Sequence, residues 1–377
     1  MTAAGLIFSN IHDQSVPELT RMRTMASVPF GGRYRLIDFA LSNMVNSGIT
    51  KVGIITHYNY QSLLDHIGTG KDWDLARRSG GIKILPPYIT AYENGASAKL
   101  YTSRLEAVMG AANFVNRCTE DFMVLSDCDV ICNIDLSKVV ADHAKSGADI
   151  TFVTKKMDVS KMILAENISV VKTDANGRIT DYTQEKPTSG IYEVVTNIMV
   201  MKRSYLMGVI AEATSHGYSS FFRDIISKTL DTAVYRAYEY QGFYGYIGSM
   251  EGYFDCSMKL LTDEARQGLF NVANRPILTK VRNTSPTKYC EGASISNSVV
   301  ADGCVIEGRV ENSILFRGVK VGRGCVIRNS ILLQDTYIGS NVSLNCVITD
   351  KNVVVRDNRT LSGHVTLPFY IGKNENV

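Results

Sequence analysis

The chain has 377 residues, 45% of them hydrophobic, and a formal net charge of +3 from 40 basic and 37 acidic side chains. That length exceeds one ordinary core, so two domains are expected, and the hydrophobic content excludes disorder as the default state. The near balance of charge excludes the basic stripe of a nucleic-acid binder, and no apolar run approaches the ~18 residues of a membrane span.

The N-terminal MTAAGLIFSN has neither the basic nor the long apolar region of a signal peptide. The eight cysteines are scattered, with no CxxC pair and no histidine at zinc-site spacing. A cytoplasmic protein with free, buried thiols is therefore expected.

In chain order, Ala3 to Phe8 reads as a first strand, Ile37 to Val45 as a helix ended by Gly48, and Lys51 to Thr56 as a buried strand. Gln61 to Ile67 is helical and Ile82 to Leu85 strand-like. Arg104 to Val115 reads as one helix, followed by a strand at Phe122 to Leu125, a helix at Leu136 to Ala144 and a strand at Ile150 to Val153. Strand and helix in alternation imply an α/β domain, Rossmann-like, with a mostly parallel sheet covered on both faces. Ligands of such sheets bind beyond the carboxyl ends of the strands, where Asp127 to Asp129 falls.

Next, Ile168 to Lys172 and Ile179 to Thr183 flank the turn Asp174-Ala-Asn-Gly177, a β-hairpin pattern. A strand near Ile198 to Met201 follows, then helices around Tyr205 to Ala213, Phe221 to Leu230 and Met250 to Arg266. The polar stretch around Pro286 marks a linker over residues 282–290, between an α/β domain at 1–281 and a second domain at 291–377. There, Asn-Ser-Val-Val, Asn-Ser-Ile-Leu, Asn-Ser-Ile-Leu and Asn-Cys-Val-Ile begin at Asn297, Asn312, Asn329 and Asn345. This is the hexapeptide pattern of a left-handed parallel β-helix, whose coils must stack to bury their inner faces. Cys304, Cys325 and Cys346 recur within it as small core fillers.

Pro29-Phe-Gly-Gly-Arg-Tyr-Arg-Leu-Ile-Asp-Phe-Ala-Leu-Ser-Asn43, continuing to Asn46-Ser-Gly-Ile49, resembles the bacterial ADP-glucose pyrophosphorylases (glucose-1-phosphate adenylyltransferases). The similarity continues in Asp65-His-Ile-Gly68, Trp73-Asp-Leu75, Ile84-Leu-Pro-Pro87, Glu185-Lys-Pro187 and Phe222-Arg-Asp-Ile-Ile226. It implies a nucleotide-diphospho-sugar-transferase-like domain followed by the β-helix, a tetrameric assembly and control by metabolite effectors. The implied reaction joins ATP and glucose 1-phosphate into ADP-glucose and pyrophosphate. Charge builds on the phosphates, so the catalyst needs cations, backbone amides and Mg²⁺ around them.

Several of those groups are missing. The family's glycine-rich phosphate loop corresponds to Phe8-Ser-Asn-Ile-His-Asp-Gln-Ser15, which has no glycine or arginine and carries Asp13 where phosphate would sit. The family's lysine before P-F-G-G corresponds to Met25, which cannot donate. Its G-T-A-D-A corresponds to Ser103-Arg-Leu-Glu-Ala107, with Arg104 expected as a solvated helix-start residue. Of its two metal-binding aspartates, one corresponds to Asp129 and the other to Tyr246, a poor Mg²⁺ ligand. Asp127 is a candidate substitute, because alternate strand residues share a face, although that alternation often breaks at a strand end. Glu185 and Lys186 match the sugar-phosphate motif, so a remnant of that pocket is expected, while the family's S-M-G is replaced by Val195-Thr-Asn197.

An intact scaffold around a stripped centre most resembles the regulatory, D-type subunit of the family. The expectation is a catalytically defective regulatory subunit of glycogen biosynthesis. It requires no cofactor itself and assembles with a catalytic subunit that uses Mg²⁺, under a sugar-phosphate or nucleotide effector. The alternative is a weak adenylyltransferase working through Asp129. A β-helix acyltransferase is disfavoured because His364 is the only histidine beyond residue 216.

Overall fold

A computed structural model describes residues 1–87, 101–164 and 166–377. Its first domain is built on a nine-stranded sheet. Across the sheet the strands run Ile179–Glu185, Ile168–Thr173, Ile191–Lys202, Phe122–Asp127, Ala3–Phe8, Lys51–Ile55 and Gly81–Leu85. The last four are mutually parallel and nearly all apolar, as strands covered on both faces must be. The long strand Ile191–Lys202 runs antiparallel to Phe122–Asp127 and also pairs with Ile150–Asp158, which carries Tyr235–Glu239 beside it.

Helices close both faces. Leu36–Asn46 is held by a capping box in which Asp38 accepts from the Arg35 backbone N–H at 3.0 Å. Its Asn43 donates to the Cys132 carbonyl and accepts from the Ile134 N–H, both at 3.1 Å. Those bonds fix the short strand Val130–Cys132, which pairs with Tyr244–Tyr246. Neither strand of that pair, nor Tyr235–Glu239, is evident from periodicity, because each spans at most five residues.

Two expected helices are divided. The helix expected over 104–115 breaks at Ala111 into Arg104–Gly110 and Ala112–Asn116, directly after a poor helix former. The one expected over 250–266 divides into Met250–Lys259 and Asp263–Phe270, because Thr262 caps a new helix whose first turn carries Asp263 and Glu264.

The second domain is the β-helix, made of three parallel five-stranded sheets. Its first strand, Lys288–Tyr289, pairs with Val305–Ile306 and so lies inside the stretch expected to be linker. Inward residues such as Ile306, Val321, Ile338 and Val355 are fully or almost fully buried, as are Cys304, Cys325 and Cys346. Cys290, on the first coil, is only half-buried, so not every thiol is enclosed.

The Asn-Ser repeat has a physical basis. Asn297, Asn312 and Asn329 take positive φ at the corners, a region asparagine tolerates better than most residues. Asn297 also donates to Asn312 at 2.8 Å and Asn329 to Asn345 at 2.9 Å. Each following serine accepts from the next coil, Ser298 from Ser313 N–H, Ser313 from Ser330 N–H and Ser330 from Val347 N–H, all at 3.1 Å.

The domains meet through Pro29 to Arg35. Pro29–Phe30 pairs with Tyr34–Arg35 around Gly31 and Gly32, both at positive φ, and Gly32 packs against Val299 and Ala301 of the β-helix. Beside this turn, one Arg23 nitrogen donates to both carboxylate oxygens of Asp350 at 2.8 Å, with both side chains buried. Tyr370 donates to the same carboxylate at 3.0 Å.

Arg23→Met should therefore cost about 3–5 kcal/mol, because it strands a buried carboxylate, and a lowered urea-unfolding midpoint would report it. A second expectation concerns His143, which is buried, hydrogen-bonded to Thr151 at 2.8 Å, and pushed down to about 4, chiefly by burial. As pH falls from ~6.5 towards ~4 the unfolded chain takes up a proton there and the folded chain does not, so stability should decline across that window. His143→Gln should flatten that part of the stability profile.

Candidate functional site

The site lies beyond the carboxyl end of the strand Phe122–Asp127. Asp127 is the last residue of that strand and Asp129 precedes Val130–Cys132, and both side chains are fully buried. A break in alternation after Asp127 was a risk, yet both carboxylates converge on one atom. His12 Nε2 is 2.8 Å from Asp127 Oδ2 and 3.5 Å from Asp129 Oδ2.

Arg104 completes the cluster. Its Nε donates to Asp127 Oδ1 at 3.2 Å, and a terminal guanidinium nitrogen donates to Oδ2. The expectation that Arg104 is solvated is thus corrected, since its side chain is only 18% exposed and forks onto a buried carboxylate. Asn197 donates to Asp129 Oδ2 at 3.4 Å. It sits at positive φ in the irregular stretch of the long strand, a conformation glycine or asparagine can hold.

The charges settle accordingly. Burial alone would lower His12, but the charges of Asp129 and Asp127 outweigh it and carry it up to about 9. Burial likewise works to raise Asp127, and Arg104 and His12 overcome it and hold Asp127 below the ordinary carboxylate range. Asp129 is raised by burial and by the neighbouring Asp127 charge.

The loop before these residues is closed. Ser9 and Asn10 are buried, and a tight turn follows at Asp13–Ser15. Asp13 Oδ1 accepts from the Met25 backbone N–H at 2.6 Å, while burial pushes Asp13 up to about 7. A cavity of about 200 Å³ opens in front, with His12, Arg104, Gln184, Asn197, Phe222 and Tyr246 among its walls.

Residues 16–263 match the nucleotidyl transferase family, and residues 284–364 match the GlmU-like C-terminal hexapeptide family. The glycogen biosynthesis protein GlgD of Bacillus subtilis (strain 168) is 33% identical over 371 residues, which cover 98% of this chain and 95% of that protein. The chain belongs to the glucose-1-phosphate adenylyltransferase family of nucleotidyl transferases. Glucose-1-phosphate adenylyltransferases of other bacteria are similar across most of it. That of Fervidobacterium nodosum is 31% identical, covering 94% of this chain and 84% of its own, and that of Bacillus cereus (strain ATCC 10987 / NRS 248) is 31% identical, covering 90% and 89%.

The family's expected positions are distributed as follows. Met25 is buried in the main core, its side chain pointing into packing rather than toward the cavity. Tyr246 lines the cavity, with its phenol raised by burial and by the Asp129 charge, so it stays neutral. Leu105 is fully buried in the second core. Glu185 and Lys186 are exposed at the end of the strand Ile179–Glu185, and neither lines the cavity, whereas the preceding Gln184 does.

The member of the carboxylate cluster that sequence reasoning missed is His12, whose only signal was an ionisable ring inside the loop at 8–15. No helix among the described residues is long and apolar enough to cross a membrane.

Replacing Arg104 by Met should cost about 3–5 kcal/mol, because Asp127 would remain buried without its fork. Adding Asp127→Asn should recover part of that loss. Urea unfolding of the two single variants and the double variant measures the coupling.

Proposed function

We propose that this chain is a regulatory, catalytically defective subunit of glucose-1-phosphate adenylyltransferase in glycogen biosynthesis. In this reading it acts in the cytoplasm, assembles with a catalytic subunit into a tetramer and raises or tunes that partner's activity. It requires no cofactor of its own, Mg²⁺ serving the partner, and a sugar phosphate or nucleotide is the class of effector. The family membership of both domains supports the pathway, through relatives named for glycogen biosynthesis and for the adenylyltransferase reaction.

The observation that carries the reading is the bond from the Met25 N–H to Asp13. A nucleotidyl transferase needs backbone amides near its first strand free to receive phosphate. Here the loop's own carboxylate is turned onto the Met25 amide, and no glycine in the loop lets the backbone approach a ligand closely. Met25 and Tyr246 remove a cation and a metal ligand from the same centre. Loss of one preorganised donor alone typically costs ~10²–10³ in rate, so several together leave turnover at background. The scaffold around the centre is retained, as a subunit that works through contact with its partner requires.

The purified chain given ATP, Mg²⁺ and glucose 1-phosphate should make no ADP-glucose above background. Co-expressed with a catalytic subunit, it should co-purify and raise kcat or shift the effector response. Turnover by this chain alone would establish the weak adenylyltransferase instead, and failure to associate would remove the regulatory role.

A further inference from the structure

The divalent cation that the family uses does not fit the carboxylates as this chain arranges them. Mg²⁺ needs near-octahedral oxygen ligands at ~2.0–2.1 Å, commonly one or two carboxylates with phosphate and water completing the shell. Three of the four oxygens of Asp127 and Asp129 already accept from or pair with cationic or amide nitrogens, Asp127 Oδ1 and Oδ2 with Arg104 and His12, and Asp129 Oδ2 with His12 and Asn197. Only Asp129 Oδ1 is without a hydrogen-bond partner. Tyr246 adds a phenol where a second carboxylate would be needed.

We propose that His12 and Arg104 are built-in replacements for the metal ion, and that they close the Asp127/Asp129 pair to divalent cations. This rests on the reading of the centre as catalytically defective and gives that defect a positive cause. The cation position is filled by the chain itself, not merely stripped of ligands. His12 belongs to the loop where the family places glycines, and a glycine has no side chain to reach the carboxylates. Loss of the phosphate loop is then the same change that brings His12 to the carboxylates, while Arg104 arrives from a separate helix start. An ion arriving there would have to displace the imidazole from its 2.8 Å contact and lie beside the Arg104 guanidinium, a like charge in a partly buried site.

A rival use of the same atoms is a metal centre with His12 as a ligand, since the ligand atoms of His12, Asp127 and Asp129 lie within 4.8 Å of one another. Arg104 already engages both oxygens of Asp127, so an ion there would have to share that carboxylate with a guanidinium. These contacts favour closure.

Titration of the full chain with Mn²⁺, followed by the paramagnetic resonance signal of the free ion, tests this without any turnover. The wild type should bind more weakly than about 1 mM. His12→Gly, with His12→Ser as a second variant and circular dichroism to confirm folding, should bind at least about tenfold more tightly. Adding Asp129→Asn should abolish that gain. Tight binding by the wild type overturns closure whatever the variants do, and its loss in His12→Gly would make His12 a ligand. A folded His12 variant with no gain also overturns it. If the chain alone makes ADP-glucose, the regulatory reading fails and closure fails with it, because Mg²⁺ then reaches the centre. If the chain is inert but the wild type binds Mn²⁺ tightly, closure alone fails.

Discussion

Two carboxylates two residues apart, both fully buried at the end of a central strand, require compensation before anything else around them can be settled. Charges in such a place are costly unless paired and hydrogen-bonded. In this chain the compensation is internal. Arg104 starts a helix next to the site, His12 comes from the first loop, and Asn197 comes from the irregular stretch of the long strand. Three separate elements are thus tied to one strand end, and the cavity in front of them takes its shape from that tie.

The first loop has a second attachment. Asp13 holds the backbone at Met25, and two residues earlier one guanidinium nitrogen of Arg23 donates to both oxygens of Asp350 in the β-helix. A single short segment therefore links the carboxylate cluster to the second domain through buried polar contacts. Tyr370 strengthens the far end by donating both to Asp350 and to the Glu18 carbonyl. Such a segment has few alternative arrangements, because moving it would strand the buried Asp350 carboxylate and break the Asp13 bond.

The motifs that were most legible serve architecture. Pro29 to Asn43 forms the turn between the domains, caps a helix and, through Asn43, fixes the strand that carries Asp129 into place. Asn297, Asn312 and Asn329 turn the β-helix corners, and the serines after them stitch one coil to the next. These features can be read locally because each depends on a backbone conformation or a spacing that few residue types satisfy. The β-helix begins at Lys288, where two-residue strands are too short to show a period.

By itself, the sequence determined the α/β domain, the β-helix, a first loop without glycine, a methionine at position 25 and a tyrosine at position 246. Each is a matter of residue type at a position, and residue type is written in the chain. What faces the Asp127 and Asp129 carboxylates was decided only by the tertiary structure. His12 lies 115 residues from Asp127, and Arg104 is indistinguishable in sequence from a solvated helix-start arginine. Pairing across such separations is set by how the sheet brings strand ends and loops together, and neither composition nor periodicity carries that information. Glu185 and Lys186 show the converse, since their motif was plain in the sequence while the fold leaves both exposed beside the cavity's Gln184.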